Sequence, residues 1–306
     1  MNKDNKNWAH SIFQRLLNRA KSNNEDFNLL LSRYGMERLL YRLSISPHND
    51  RFILKGASLF LVWIGQNYRV TRDADFLGFG SPDLNRLAEI FSEICNVDCD
   101  TDGMVYKADT LRVEEIREGQ EYNGVRVTLV GFLNTARIPL QIDIGFGDAI
   151  TPSPENIEYP TFFEAPPPTL KAYPRYTLVA EKLEAMVRLD LANSRMKDFY
   201  DICLLSRLFT FDGEILSEAI KNTFSRRRTP LPSSVPFAFT SDFSEDQQKK
   251  VQWDVFVRQT KPNVPLESLS TATGEISKFL QPVIDSFQFN SVFQEDWLPE
   301  KGWSPK

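Results

Sequence analysis

Residues 51–79 read RFILKGASLFLVWIGQNYRVTRDADFLGF. The residues at 51–54 predict a short strand that runs into Gly56, and the apolar segment at 57–63 predicts a helix directly after it. A glycine at a helix N-terminus permits an anion to approach the backbone closely, and Ser58 supplies a hydroxyl nearby. The first part of the stretch therefore predicts a strand, a turn suited to an anion, and a helix.

Three aspartates are predicted to lie on two strands. Asp73 and Asp75 are two positions apart in the second strand of that stretch, and because side chains alternate across a strand, both project from one face. An alternation of apolar and polar residues places Asp143 on another strand. Hard divalent cations such as Mg²⁺ or Mn²⁺ bind oxygen ligands of this kind. The three carboxylates are candidate metal ligands; for an Asp-x-Asp pair taken alone, solvated side chains are the alternative.

The composition limits the classes of protein to consider. The 306 residues are 42% hydrophobic and 25% charged, which is typical of soluble domains and predicts a sizeable core. The chain has only two histidines, which argues against a histidine-rich metal site or a Ser-His-Asp hydrolase. Its three cysteines lack CxxC spacing, and neither a signal sequence nor a long apolar run is present, so a cytoplasmic protein without membrane contact is expected. A net charge of −5 leaves room only for a local basic patch.

The order of predicted elements indicates an α+β fold. Helices at 8–44 precede the strands, and alternating patterns at 125–129 and 138–144 predict an antiparallel meander. From residue 177 onward the apolar spacing is helical. The expected architecture is a small mixed β-sheet with N-terminal helices, followed by a helical C-terminal domain.

The proline-dense stretch between residues 152 and 168 predicts the domain boundary. The chain is therefore divided into a domain at 1–165, which carries the sheet, and a mainly helical domain at 166–306. The last twelve residues, 295–306, are polar apart from two tryptophans and are expected to pack loosely.

Taken together, the motifs resemble a known group of enzymes. Lys-Gly-Ala-Ser at 55–58, Asp-Ala-Asp-Phe at 73–76 and Ile-Asp-Ile at 142–144 are similar to the signature of the DNA polymerase β-type nucleotidyltransferase superfamily. More narrowly, the segments at 55–60 and 69–76 resemble the AbiEii/AbiGii toxin family, and motifs at 141–148, 180–185 and 195–202 also fit that family. The resemblance implies a bilobed enzyme that binds an NTP with a divalent metal. It also implies a toxin of a toxin–antitoxin or abortive-infection system.

The resemblance also suggests roles for residues outside the acidic strands. Lys182 lies on an otherwise apolar helix face, where a cation requires an anionic partner, and the resemblance assigns it to phosphate binding. A lysine at the edge of the core is the alternative. Lys197 is a further NTP-binding candidate, and Arg72 is placed to meet a phosphate. Asp198 or Asp201 is implied as a base or as a group that positions the acceptor; spacing alone would equally fit a surface ion-pair ladder.

The partners follow from the same resemblance. The MenT-like toxins add nucleotides to the 3′ acceptor end of tRNA, so an RNA acceptor, tRNA above all, and a cognate antitoxin protein are implied. Transfer to a protein hydroxyl or to a small molecule remains open, as does a non-catalytic NTP-binding regulatory module. Residues 226–228, three arginines in a row, are a candidate contact for RNA phosphates, with a solvated helix C-terminus as the alternative.

Overall fold

The structure is a computed structural model that describes residues 3–65, 73–99, 101–118, 122–260, 262, 264, 268–288 and 292–306. The predicted phosphate contact Arg72 lies outside the described residues. The described chain forms two compact units. The first comprises the residues up to 147 together with 155–172, and the second comprises 148–154 and the residues from 173 onward.

The first unit is built on a mixed β-sheet. Its strands are β1 (Phe52–Lys55), β2 (Ala74–Gly78), β3 (Met104–Glu118), β4 (Tyr122–Leu133), β5 (Ala136–Phe146), β6 (Glu155–Glu158) and β7 (Thr169–Ala172). Within the described residues they form one seven-stranded sheet in the order β3-β4-β5-β2-β1-β7-β6. The predicted antiparallel meander is β3–β4–β5. Strand β2 joins it through a parallel pairing with β5.

Helices cover one face of this sheet. The helices of the first unit are α1 (Lys3–Asn23), α2 (Phe27–Ile45), α3 (Leu59–Ile64) and α4 (Leu84–Cys95). In β5, Ile138, Leu140, Ile142 and Ile144 are buried, whereas the residues between them are exposed or half-buried. A Cβ atom on Gly35 of α2 would lie 3.1 Å from Cγ2 of Ile138, so this helix packs directly on the apolar face. The strand alternation leaves the opposite face polar.

The second unit is mainly helical. Its elements are α5 (Arg175–Leu189), α6 (Met196–Leu208), β8 (Phe211–Asp212), α7 (Gly213–Arg226), α8 (Ser241–Ser244), α9 (Gln247–Thr260), α10 (Leu269–Gln288), β9 (Glu295–Leu298) and β10 (Gly302–Pro305). Aromatic side chains fill much of its core, and the rings of Phe199 and Phe243 stack with centroids 5.3 Å apart. The sheet of the first unit and the helices of the second confirm the α+β class.

The expectation that residues 295–306 pack loosely is wrong. Strands β9 and β10 form an antiparallel sheet with β8. The indole Nε1 of Trp297 donates a hydrogen bond to the carbonyl oxygen of Ser206 at 2.6 Å. The ring of Trp303 stacks on Phe279 with centroids 5.9 Å apart. Because each indole combines a large apolar area with one donor, the two tryptophans fix this segment on the helical core.

In the described part of the chain, no helix is both long and apolar enough to cross a bilayer.

Candidate active site

A row of charged residues crosses the polar face of the sheet. The strand register pairs Lys55 with Asp75, Asp75 with Asp143, Asp143 with Arg126, and Arg126 with Glu114. Paired residues on neighbouring strands project from the same face, and the strands are about 4.8 Å apart. The charged row therefore alternates in sign except at its centre, where the carboxylates of β2 and β5 are neighbours.

The carboxylate of Asp143 is held by Arg126. The guanidinium donates two hydrogen bonds, Nε to Oδ1 and Nη2 to Oδ2, each of 2.8 Å. The amide Nε2 of Gln141 lies 3.3 Å from Oδ2 of the same carboxylate. The hydrogen bonds and charge of Asp143 raise the pKa of Arg126, with a further contribution from the charge of Asp73. Asp143 is thus oriented along the polar face, and Arg126 supplies positive charge beside it.

The carboxylate of Asp75 lies against the backbone of Gly56. A Cβ atom at residue 56 would lie 2.1 Å from Oδ2 of Asp75, and the φ angle of Gly56 is +76°, in the left-handed region. Only glycine satisfies both conditions without strain. Residues 56–58 form a 3₁₀ turn that leads into α3, as the strand–turn–helix prediction expects. Ser58 is buried in this turn, where its Oγ donates to the carbonyl oxygen of Lys55 at 3.3 Å.

Asp73 lies one residue before β2 and is exposed. Ala74 and Phe76 are buried on the other face, which confirms the predicted alternation. The structure therefore brings Asp75 and Asp143 side by side and places Asp73 two residues earlier along the same strand direction. Among the described residues, no three acidic, histidine or cysteine side chains already have the spacing of a metal site. The carboxylate of Asp143 is paired with Arg126.

In the second unit, Lys182 is buried and has anionic partners. Its Nζ lies 2.6 Å from Oδ1 of Asp198 and 2.9 Å from Oδ2 of Asp201, and both aspartates are also buried. Arg195 Nε donates to Oδ2 of Asp198 at 2.7 Å. Burial alone would raise the pKa of Asp198, but the charges and hydrogen bonds of Lys182 and Arg195 outweigh it and lower the pKa. Lys197 lies on the same helix and is exposed.

The three arginines at 226–228 do not form one basic surface. The side chain of Arg227 is only 14% exposed and pairs with Asp148, Glu181 and Glu184 at distances of 3.0, 3.2 and 2.9 Å. The prediction that Arg227 contacts RNA phosphates is therefore wrong, because three carboxylates of the second unit already pair with its guanidinium. Glu181 and Glu184 are one helical turn apart, a spacing that favours a shared cation.

Arg126 is absent from the predicted site residues, although the sequence carried a signal for it. The alternating patterns at 125–129 and 138–144 place Arg126 and Asp143 on adjacent antiparallel strands, and an opposite-charge pair directly across such strands is favourable. What the patterns lacked was the register. A shift by one residue would have placed the arginine on the apolar face.

Comparison with known proteins agrees with the predicted resemblance. Residues 38–275 match the family model described as "Nucleotidyl transferase AbiEii toxin, Type IV TA system". No curated protein sequence matches the chain. The fold is similar to the crystal structure of JHP933 from Helicobacter pylori, with 17% identity and a TM-score of 0.47 over 86% of this chain and 94% of that one. A second H. pylori structure, assigned to a nucleotidyltransferase, gives 17% identity and a TM-score of 0.47 over 85% and 96%. The family match covers most of the sequence and includes both acidic strands, so the chain belongs to the AbiEii family of nucleotidyl transferase toxins of type IV toxin–antitoxin systems.

Proposed function

We propose that the protein transfers a nucleotide from an NTP to the 3′ end of an RNA, with tRNA as the acceptor, in the presence of a divalent metal ion. The family supplies the class of activity and implies an antitoxin partner. The acceptor, the metal and the site residues are the proposal. The observation that carries it is the register of β2 and β5, which sets Asp75 directly beside Asp143 on the polar face of the sheet.

Asp73, Asp75 and Asp143 would hold the metal ion. All three supply carboxylate oxygens, the donors that Mg²⁺ and Mn²⁺ prefer, and Mg²⁺ commonly takes further oxygens from substrate phosphates. The donor chemistry and the strand register fit such an ion. To bind it, Asp143 would give up one of its two hydrogen bonds from Arg126 and offer that oxygen to the ion. An ion held by these carboxylates would supply activation of the acceptor hydroxyl and would offset the charge of the triphosphate.

The chain's own residues account for the other requirements of the transfer. Gly56 gives the turn a left-handed backbone against which the Asp75 carboxylate packs, so a phosphate at this turn would lie beside a proposed metal ligand, and Ser58 stabilises the turn. The acceptor 3′-oxygen attacks the α-phosphorus, forming a P–O bond while the bond from that phosphorus to the bridging β-phosphate oxygen breaks. Pyrophosphate leaves and the hydroxyl proton passes to solvent. The guanidinium of Arg126 is placed to stabilise negative charge that develops beside Asp143.

The roles of the remaining predicted residues stay predictions. Lys182 and Lys197 are proposed to bind phosphate, as the family resemblance implies, and so is Arg72. Asp198 is proposed to position the acceptor instead of acting as the base. An efficient general base has a pKa near the operating pH, whereas two cations lower the pKa of Asp198.

The proposal is tested with α-labelled NTPs, Mg²⁺ and total RNA. Label is expected on a tRNA-sized band, and Asp75→Asn is expected to abolish it. Asp50→Asn is the matched control, because the Asp50 side chain is 84% exposed on the surface of the same unit. Label on protein instead of RNA would favour a protein hydroxyl as the acceptor. NTP binding without any transfer would favour a regulatory module.

A further inference from the structure

We infer that a cavity beside the charged row binds the 3′-terminal nucleotide of the acceptor together with its 5′-phosphate. The inference rests on the proposed function and names the acceptor side of that site. The cavity has a volume of about 620 Å³, within the range of about 300–1,000 Å³ that small-molecule sites occupy. We call it the acceptor pocket; its lining includes Asp73, Arg112, Thr128, Val130, Arg137 and Gln141.

The acceptor pocket lies next to the charged row on the same face of the sheet. Arg112 pairs with Thr128, and Thr128 pairs with Gln141, so these three form the next row along the strands. Thr128 and Gln141 are each two residues from a member of the charged row, Arg126 and Asp143, and alternation therefore gives them the same orientation. Asp73, one of the proposed metal ligands, lines the pocket directly.

The order of strands places the pocket on the opposite side of the acidic strands from the turn at residues 56–58. The turn at residues 56–58 follows β1, and β1 neighbours β2 on the side away from β5. Strands β4 and β3, which carry much of the pocket, lie beyond β5 on the other side. In phosphoryl transfer the attacking and leaving oxygens are roughly in line. With the triphosphate at the turn, the attacking hydroxyl therefore comes from the side of β3 and β4.

The pocket presents two arginines that form no ion pair with any carboxylate in the described part of the chain. Arg112 Nη1 donates to the backbone carbonyl oxygens of Leu111 at 2.8 Å and Asp109 at 3.5 Å. Arg137 is exposed, and its side chain makes no hydrogen bond or ion pair with any residue that the structure describes. Asp109 also lines the cavity, but within the described chain no ion pair joins it to either arginine. Guanidinium groups with unused donors bind phosphate oxygens in bidentate geometry.

The remaining lining suits a nucleoside. Thr128 and Gln141 supply a hydroxyl and an amide for sugar hydroxyls, and Val130 and Pro139 supply an apolar surface for a base. The amide of Gln141 also lies 3.3 Å from Oδ2 of Asp143, which links the pocket to the charged row. Two cations beside this surface fit a nucleotide with a 5′-phosphate better than the side chain of a serine or tyrosine.

The test measures RNA binding apart from transfer. The probe is a fluorescent RNA of about six nucleotides with a 3′-deoxy end, titrated without NTP so that no reaction occurs. The pocket variant is Arg112→Gln/Arg137→Gln. The control, Arg86→Gln/Arg258→Gln, removes the same charge from exposed arginines outside the pocket. The full chain is used throughout, and NTP binding is measured in parallel for each protein.

The pocket variant is expected to bind the RNA about tenfold or more weakly, with a salt dependence reduced by up to about two phosphate contacts. Its NTP affinity and the RNA affinity of the control are expected to match the unaltered protein. If the control and pocket variants lose RNA affinity equally, or if neither loses it, the inference is overturned. Transfer to RNA by the unaltered protein reports separately on the proposed function. If RNA is labelled but the pocket variant keeps the same acceptor KM, the pocket assignment fails and the function stands.

Discussion

Gly56 and Asp75 are packed so closely that a Cβ atom at residue 56 would lie 2.1 Å from Oδ2 of Asp75. The contact joins the turn after β1 to the acidic strand β2, which are the two places where the proposal puts the triphosphate and the metal. A side chain at residue 56 would therefore displace the carboxylate of Asp75.

Gly56→Ala is expected to displace the Asp75 carboxylate and weaken Mn²⁺ binding about tenfold or more, because the new methyl group collides with a proposed ligand. Gly65→Ala is the matched control. Gly65 has a φ angle of +74°, close to the +76° of Gly56, but a Cβ there meets nothing within 4 Å. Both variants should lose about 1–2 kcal/mol of unfolding free energy from the left-handed backbone. Equal Mn²⁺ affinity in the two variants, measured by electron paramagnetic resonance, would contradict the collision.

Two variants of Arg126 distinguish the effect of its positive charge on metal binding from the effect of its guanidinium on transfer. Without nucleotide, Arg126→Met is expected to tighten Mn²⁺ binding about fivefold, because a cation that repels the metal is removed from a partly solvated site. Transfer should nevertheless fall, since the guanidinium no longer stabilises developing charge. Arg126→Lys keeps the charge and should bind Mn²⁺ as weakly as the unaltered protein. Weaker Mn²⁺ binding by the methionine variant would show that Arg126 supports the metal site instead of competing with it.

The helices, the strands and the acidic positions on them can be predicted from the sequence for a physical reason. Strand alternation assigned Asp73, Asp75 and Asp143 to a polar face, because Ala74 and Ile142 had to be buried opposite them. Glycine at residue 56, between a predicted strand and a predicted helix, indicates a special backbone. Local patterns of this kind decide which face a side chain occupies.

Contacts between side chains of segments that are distant in the sequence cannot be predicted in the same way. The partner of Asp143 depends on the register between β4 and β5, and the partners of Lys182 depend on how α5 and α6 pack. Within the basic run at 226–228, the sequence indicates three charges but not that Arg227 is held by carboxylates, whereas Arg226 and Arg228 are exposed. The composition of residues 295–306 is likewise mostly polar, and it does not reveal that the helical core offers a hydrophobic surface on which the two tryptophans pack.

Arg227 is expected to be structural. Arg227→Met leaves the carboxylates of Asp148, Glu181 and Glu184 without their shared cation and should cost about 3–5 kcal/mol of unfolding free energy. Arg226→Met, at the preceding and exposed position, should change it by less than about 1 kcal/mol. Urea unfolding of the two variants makes the comparison. Similar small losses would mean that the buried cluster does not contribute to stability.

Glu37 is expected to make stability depend on pH. Burial raises the pKa of Glu37 to about 7, against 4.5 for an ordinary glutamate. The folded state then binds the proton more tightly than the unfolded state, so this contribution is present at low pH and is lost as the pH rises toward 7. From about pH 5.5 to about pH 8.5, the unaltered protein should lose about 2 kcal/mol relative to Glu37→Gln. The exposed Glu164→Gln should show no such divergence, and parallel curves for Glu37→Gln would contradict the prediction.

The pairing of Asp75 with Asp143 across β2 and β5 is the centre of the account, and position-specific labelling tests it most directly. The protein is incubated with RNA, Mg²⁺ and NTPs that carry label on either the α- or the γ-phosphate. We predict that α-label enters RNA, that γ-label does not, and that Asp143→Asn abolishes incorporation while keeping its folded structure. Incorporation of γ-label, or α-label transfer that persists in Asp143→Asn, would contradict nucleotidyl transfer by these carboxylates.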